Sequence, residues 1–223
     1  MDDERAAQVS AVAALAEPTR RRLYDHVVRQ ERPVSRDDAA AATDVPRATV
    51  AFHLDKLVKE GLLDVVFERR TGRSGPGAGR PAKLYRRADC DVSVSLPERH
   101  YGVAGDLLAA AMSGAEASGE SPRTALDRLA YERGKELAEG AGRDAALRIL
   151  EAQGYEPRAE DGAVTLVNCP FHELARAHTE LVCGMNLSLL EGVLDGVPHA
   201  GLTARLQPSP GRCCVRLEPV RGD

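Results

Sequence analysis

The 223-residue chain is 43% apolar and 29% charged, a mixture that excludes a disordered polymer and suits two modest domains, each with its own core. No apolar run approaches the roughly 20 residues of a membrane-spanning helix, and the acidic start MDDERAAQ lacks the basic-then-apolar pattern of a secretory signal, so a cytoplasmic protein with no membrane partner is expected. The net charge of -4 hides a division: residues 1–88 hold 17 Lys and Arg against 13 Asp and Glu, whereas residues 89–223 hold 13 against 21.

Apolar residues at helical spacing predict a helix from Glu4 to Leu15, and a second that restarts after Pro18, a residue tolerated in a first turn. SRDDAAAATDV predicts a short helix with Ser35 as N-cap and Asp37 and Asp38 at its positive end. After a turn at Thr43 to Pro46, PRATVAFHLDKLVKEGLL predicts a helix that starts at Pro46 and stops at Gly61. Val50, Leu54, Leu57 and Val58 should face the core. The opposite face should then hold Arg47, Thr49, His53 and Lys56, which offer donors to base edges and phosphates and a threonine methyl to thymine. The β-branched alternation of LLDVVFERR, the tip TGRSGPGAGRP and the strand AKLYRRA predict a hairpin over residues 62–88. Its loop is basic: Arg69, Arg70, Arg73, Arg80, Lys83, Arg86 and Arg87 occur with no acid among them, a surface a polyanion would bind. The glycines Gly75, Gly77 and Gly79 do not make a phosphate loop, because no Gly-Lys-Ser/Thr follows and no helix begins there.

Three helices and a basic hairpin describe a winged helix-turn-helix. ALAEPTRRRLYDHV, RATVAFHLDKLVKEGLL and GRPAKLYRRA, in that order, resemble the DNA-binding domain of ArsR-type bacterial transcriptional regulators over about residues 1–88. The resemblance implies a double-stranded DNA operator, contacted from the helix by Arg47, Thr49, His53 and Lys56 and from the wing by Arg69, Arg70, Arg73 and Arg80. It also implies a homodimer on two half-sites. Residues 89–121 are expected to hold a dimerisation helix, Leu96 to Met112, with Tyr101, Leu107, Leu108 and Met112 free for a partner, and then a flexible polar linker, SGAEASGESP.

For residues 122–223 the pattern predicts two helices, a hairpin turning at Asp161-Gly162, further helix through Leu194, and a final hairpin, LTARLQPSPGRCCVRLEP. The fold class expected is therefore α+β, a winged helix followed by an α+β sensor domain. Four of the five cysteines, Cys169, Cys183, Cys213 and Cys214, fall in this last part, and clustered cysteines in a reducing cytosol serve more often as ligands or redox groups than as disulfides. Cys90, alone, is expected to be a small buried hydrophobe. A straight helix from residue 171 to 195 would hold Cys169 and Cys183 roughly 20 Å apart, so shared chemistry requires a bend, expected near Ala177-His178-Thr179 with Thr179 capping a fresh helix. Strand alternation would send Cys213 and Cys214 to opposite faces, which predicts three cysteine ligands and a fourth from His172, His178, the spare cysteine or a small molecule.

Cys169-Pro170-Phe171, His178-Thr179-Glu180-Leu181-Val182-Cys183 and Gly211-Arg212-Cys213-Cys214 resemble the layout of SufR-type iron-sulfur-responsive repressors. That resemblance implies a [4Fe-4S] or [2Fe-2S] cluster on Cys169, Cys183 and Cys214. The chain departs from the pattern in a cysteine spacing longer by one residue, in the doubled last cysteine, and in threonine in place of a proline after His178. Zinc would accept the same donors, and buried cysteines without any ligand are the bland alternative. An enzyme is not expected. His172-Glu173 lacks the second histidine at 176 that a zinc protease needs, and no serine elbow or cofactor loop accompanies the cysteines.

Overall fold

The computed structural model describes residues 2–68, 81–143, 145–160, 162–209 and 211–220. The chain divides into two compact units, Met1–Val94 and Ser95–Asp223. Helices and antiparallel sheets occur in both, in the α+β class expected. Among the described residues no helix is long and apolar enough to cross a membrane.

The first unit runs α1 (Asp2–Ala14), α2 (Pro18–Val28), β1 (Val34–Ser35), α3 (Arg36–Thr43), α4 (Arg47–Lys59), β2 (Leu63–Glu68) and β3 (Ala82–Arg87). Local chemistry sets most of these ends. Ser35 accepts from the Asp38 N–H at 3.1 Å while Asp38 returns a bond to the Ser35 backbone, a reciprocal cap that starts α3. Glu17 caps α2 through the N–H groups of Thr19 and Arg20. Gly61, at φ 73°, takes the left-handed turn that ends α4. Leu23, Val27, Val50, Leu54, Leu57, Leu63 and Tyr85 fill the core. The hairpin gains a strand that sequence periodicity missed: two-residue β1 pairs with β3, Val34 opposite Tyr85, so the sheet order is β1-β3-β2. Two residues are too few to show a period.

The second unit runs α5 (Tyr101–Ser118), α6 (Pro122–Leu137), α7 (Ala146–Ala152), β4 (Pro157–Glu160), β5 (Ala163–Leu166), α8 (His172–Ala177), α9 (Thr179–Gly196), β6 (Leu202–Leu206) and β7 (Val215–Pro219). Its sheet, β4-β5-β7-β6, joins the two predicted hairpins edge to edge through β5 and β7. The long helix α9 packs on α6 and on β6 and β7, burying Val182, Met185, Leu189, Leu190 and Val193.

Two expectations for the middle of the chain are corrected. The helix begins at Tyr101, not Leu96, because the preceding residues bond elsewhere: His100 N–H donates to Pro170 O at 3.1 Å, and Glu98 O accepts from Asn168 Nδ2 at 3.0 Å. It then continues through most of the predicted linker to Ser118, where Gly119 at φ 76° turns the chain and Ser121 caps α6. Alanine-rich sequence sustains helix even where serine and glycine interrupt it. Leu107, expected to be free for a partner, is buried within the unit beside Ala104 and Ala111, whereas Tyr101 and Met112 are exposed.

Candidate functional sites: a helical reading face and a thiol cavity

Helices α3 and α4 form the helix-turn-helix pair, joined through Asp44 in the left-handed conformation. The solvent stripe of α4 comprises Arg47, Ala48, Phe52, Asp55 and Lys59, with Ala51 half-buried. Of the four residues expected on the reading face, only Arg47 stands in that stripe. Thr49 and Lys56 are half-buried at its margin. His53 is corrected outright: it is 9% exposed, and its Nδ1 lies 3.6 Å from a Glu17 carboxylate oxygen. The reason is that α4 packs against α2, α3 and β2, which widens its inward stripe to Val50, His53, Leu54 and Leu57 and turns the outward face by about one residue. Arg47 Nε meets Asp37 at 2.5 Å on an open surface, a pair weak enough to exchange for a phosphate. Lys56 pairs with Glu60. Arg69, Arg70, Arg73 and Arg80 lie outside the described residues.

Sequence reasoning missed the contact that ties α4 to the hairpin. Asp55 accepts from Tyr85 Oη at 2.7 Å and from Lys83 Nζ at 2.5 Å, both on β3. Burial pushes the Asp55 carboxyl up, but the Lys83 and Tyr85 bonds outweigh it and hold the group below its usual value. Burial, then the same bond to Asp55, pushes the Tyr85 hydroxyl well above its usual value. An acid on the solvent stripe of α4, 28 and 30 residues from its partners, carries no local signal that could have found this.

In the second unit the helix breaks as expected between Ala177 and Thr179, with His178 at φ -134° and ψ 55°. Thr179 is the first residue of α9 rather than its cap, and its hydroxyl bonds back to Ala175 O at 2.8 Å. Cys169, Cys183, Cys213 and Cys214 line one cavity of about 210 Å³ together with His172, Thr179 and Arg212. The expected opposition of Cys213 and Cys214 shows in their burial, Cys213 buried like Val215 and Leu217 and Cys214 half-buried like Arg216, yet both line this cavity just before β7. His178 is exposed and lies outside the lining. Cys90, in the other unit, is half-buried rather than buried.

The four sulfurs form two pairs. Cys183 and Cys214 are joined as a disulfide, while Cys169 and Cys213 are free and buried. The Cys213 thiol bonds to Cys169, and that bond, opposed by burial and assisted by the Phe171 N–H and the Arg99 charge, holds the Cys169 thiol below its usual value. The same bond, then burial, pushes Cys213 well above its own. Of the two, Cys169 therefore gives up its proton the more readily. A buried chain supports the pair: Tyr155 Oη donates to Asn186 Oδ1, and Asn186 Nδ2 donates to Cys213 Sγ at 3.2 Å. Asn186 and Tyr155 were not singled out in the sequence; only a buried polar residue on the apolar face of α9 hinted at either. Among the described residues no three His, Cys, Asp or Glu side chains are arranged to hold a metal ion.

Residues 15–66 match a protein family described as a helix-turn-helix domain. No curated protein and no solved structure gives a significant match to the chain. The matched span covers α2, α3, α4 and most of β2, and supports a DNA-binding transcriptional regulator.

Proposed function

We propose that this chain is an ArsR-type repressor that binds a double-stranded operator as a homodimer through its winged helix and answers to iron-sulfur or redox status through the thiols of its second unit. The observation that carries the sensing half is the gathering of four cysteines, from the end of the β4–β5 hairpin, from α9 and from the bend before β7, around one cavity. Thiolates suit both iron-sulfur clusters and zinc, so the chemistry of the donor set fits. With the disulfide reduced, Cys169, Cys183, Cys213 and Cys214 are the residues that would hold the group. A bound cluster supplies electron-transfer chemistry and sensitivity to oxidants.

The chain's own part is mechanical. Cys183 sits in the second turn of α9 and Cys214 leads into β7, so joining or freeing their sulfurs ties or releases a helix and a hairpin 31 residues apart in sequence. A state of the thiols that favours one arrangement of these segments shifts the population towards it, and DNA affinity follows by linkage. The disulfide also favours a second reading, a thiol switch that works with no inorganic group, because disulfides in reducing compartments are as a rule transient.

The test uses the full chain, reduced and kept anaerobic, incubated with ferrous iron and sulfide. Visible thiolate-to-iron absorption that disappears in Cys183→Ser is the expected result. A colourless protein that retains zinc stoichiometrically supports the zinc variant. A colourless, metal-free protein whose DNA affinity changes only with thiol oxidation overturns the cluster and leaves the thiol switch.

A further inference from the structure

Between Arg47 and Asp55, the solvent stripe of α4 is apolar. It holds Ala48, half-buried Ala51 and Phe52, a residue 66% exposed. The polar groups bounding the stripe are already committed: Arg47 pairs with Asp37, and Asp55 is bonded to Lys83 and Tyr85. The exposed middle of the stripe therefore offers a base pair only small methyl groups and one phenyl ring, with the Thr49 hydroxyl half-buried at its margin. A ring held in water forgoes its burial, and here it stands on the second helix of a matched helix-turn-helix domain.

The major groove presents one apolar feature, the thymine C5-methyl group. Resting on the operator-binding reading above, we propose that Phe52 is a specificity-determining residue that recognises a thymine methyl by apolar contact. Ala48 and Ala51 beside it present no bulk that would keep the helix from the base edges. Cations flank the ring for the phosphates, Lys59 directly and Arg47 and Lys56 by exchanging Asp37 and Glu60 for a phosphate, and residues 1–88 carry an excess of Lys and Arg over Asp and Glu. A single exposed phenyl ring, set edge-on to the His53 imidazole at 5.3 Å between centroids and bordered along the stripe by alanines and charges, suits this occupant better than a protein partner, which would ask for a contiguous apolar patch.

The test begins with the reduced full chain selecting from a pool of random 30-base-pair duplexes. Each thymine of the enriched duplex is then replaced singly by deoxyuridine, which removes the methyl group and nothing else. The expected result is one thymine per half-site at which the replacement weakens wild-type binding about fourfold, the worth of one buried methyl. The same replacement should leave the binding of Phe52→Ala unchanged, and Phe52→Leu should restore part of the sensitivity. Because the ring is exposed, Phe52→Ala should keep the unfolding midpoint of the wild type, which separates lost contact from lost fold. Enrichment of a duplex that is indifferent to every deoxyuridine, or equally sensitive in Phe52→Ala, overturns the Phe52 assignment and leaves the regulator reading intact. Failure to enrich any duplex overturns both.

Discussion

The α6–α9 crossing makes a prediction whose sign is decided by geometry against propensity. Gly134 and Gly192 face one another there: a Cβ built on Gly134 would lie 2.1 Å from the Leu189 carbonyl oxygen, and one built on Gly192 would lie 2.1 Å from that of Tyr131. In an ordinary helix Gly→Ala stabilises by about 1 kcal/mol. At Gly192 the obstruction is backbone on the partner helix, so no side chain can swing aside; the two helices must part by about 1 Å, and overpacking of that kind costs about 1–3 kcal/mol or more. Gly192→Ala should therefore be net destabilising, by up to about 2 kcal/mol after the propensity gain is subtracted. Gly114, inside α5 with nothing within 4 Å of an added Cβ, is the control, and Gly114→Ala should stabilise by up to about 1 kcal/mol. Urea unfolding of the full chain followed by circular dichroism measures both. A Gly192→Ala protein as stable as the wild type, or more so, would refute the close-packing argument, and with it the claim that α9, which carries Cys183, is held in register by backbone contact with α6.

The tie between α4 and β3 should have a pH signature on both flanks. The Asp55 carboxyl is held below its usual value, so its contribution is present above the ordinary carboxylate range and is lost as pH falls through the lowered value. The Tyr85 hydroxyl is raised, so its contribution is present below pH 10 and fades as pH climbs towards the raised value. Asp55→Asn should flatten the acid flank of a stability-against-pH profile of the first unit; an unchanged acid flank would remove Asp55 from that role. In the second unit, Tyr155→Phe leaves the buried Asn186 carbonyl without its donor and should cost about 1–3 kcal/mol in urea unfolding. A cost near zero would mean that the Tyr155–Asn186–Cys213 chain does not support the thiol pair.

Local chemistry was enough to place most elements. Ser35 marks a helix start because its side chain answers the Asp38 N–H beside it, and Gly61 marks a helix end because it accepts positive φ. Such signals act within a few residues and survive in a linear reading. Tertiary packing decided what periodicity could not. The neighbours of α4 turned its outward face from His53 to Phe52. Cys213 and Cys214, buried and half-buried in alternation, nonetheless line one cavity with Cys169 and Cys183. The pairing of sulfurs into Cys183–Cys214 and Cys169–Cys213 and the bond of Asp55 to Tyr85 depend on groups 30 to 44 residues apart, whose distance is set by how helices and sheets pack and not by any spacing along the chain.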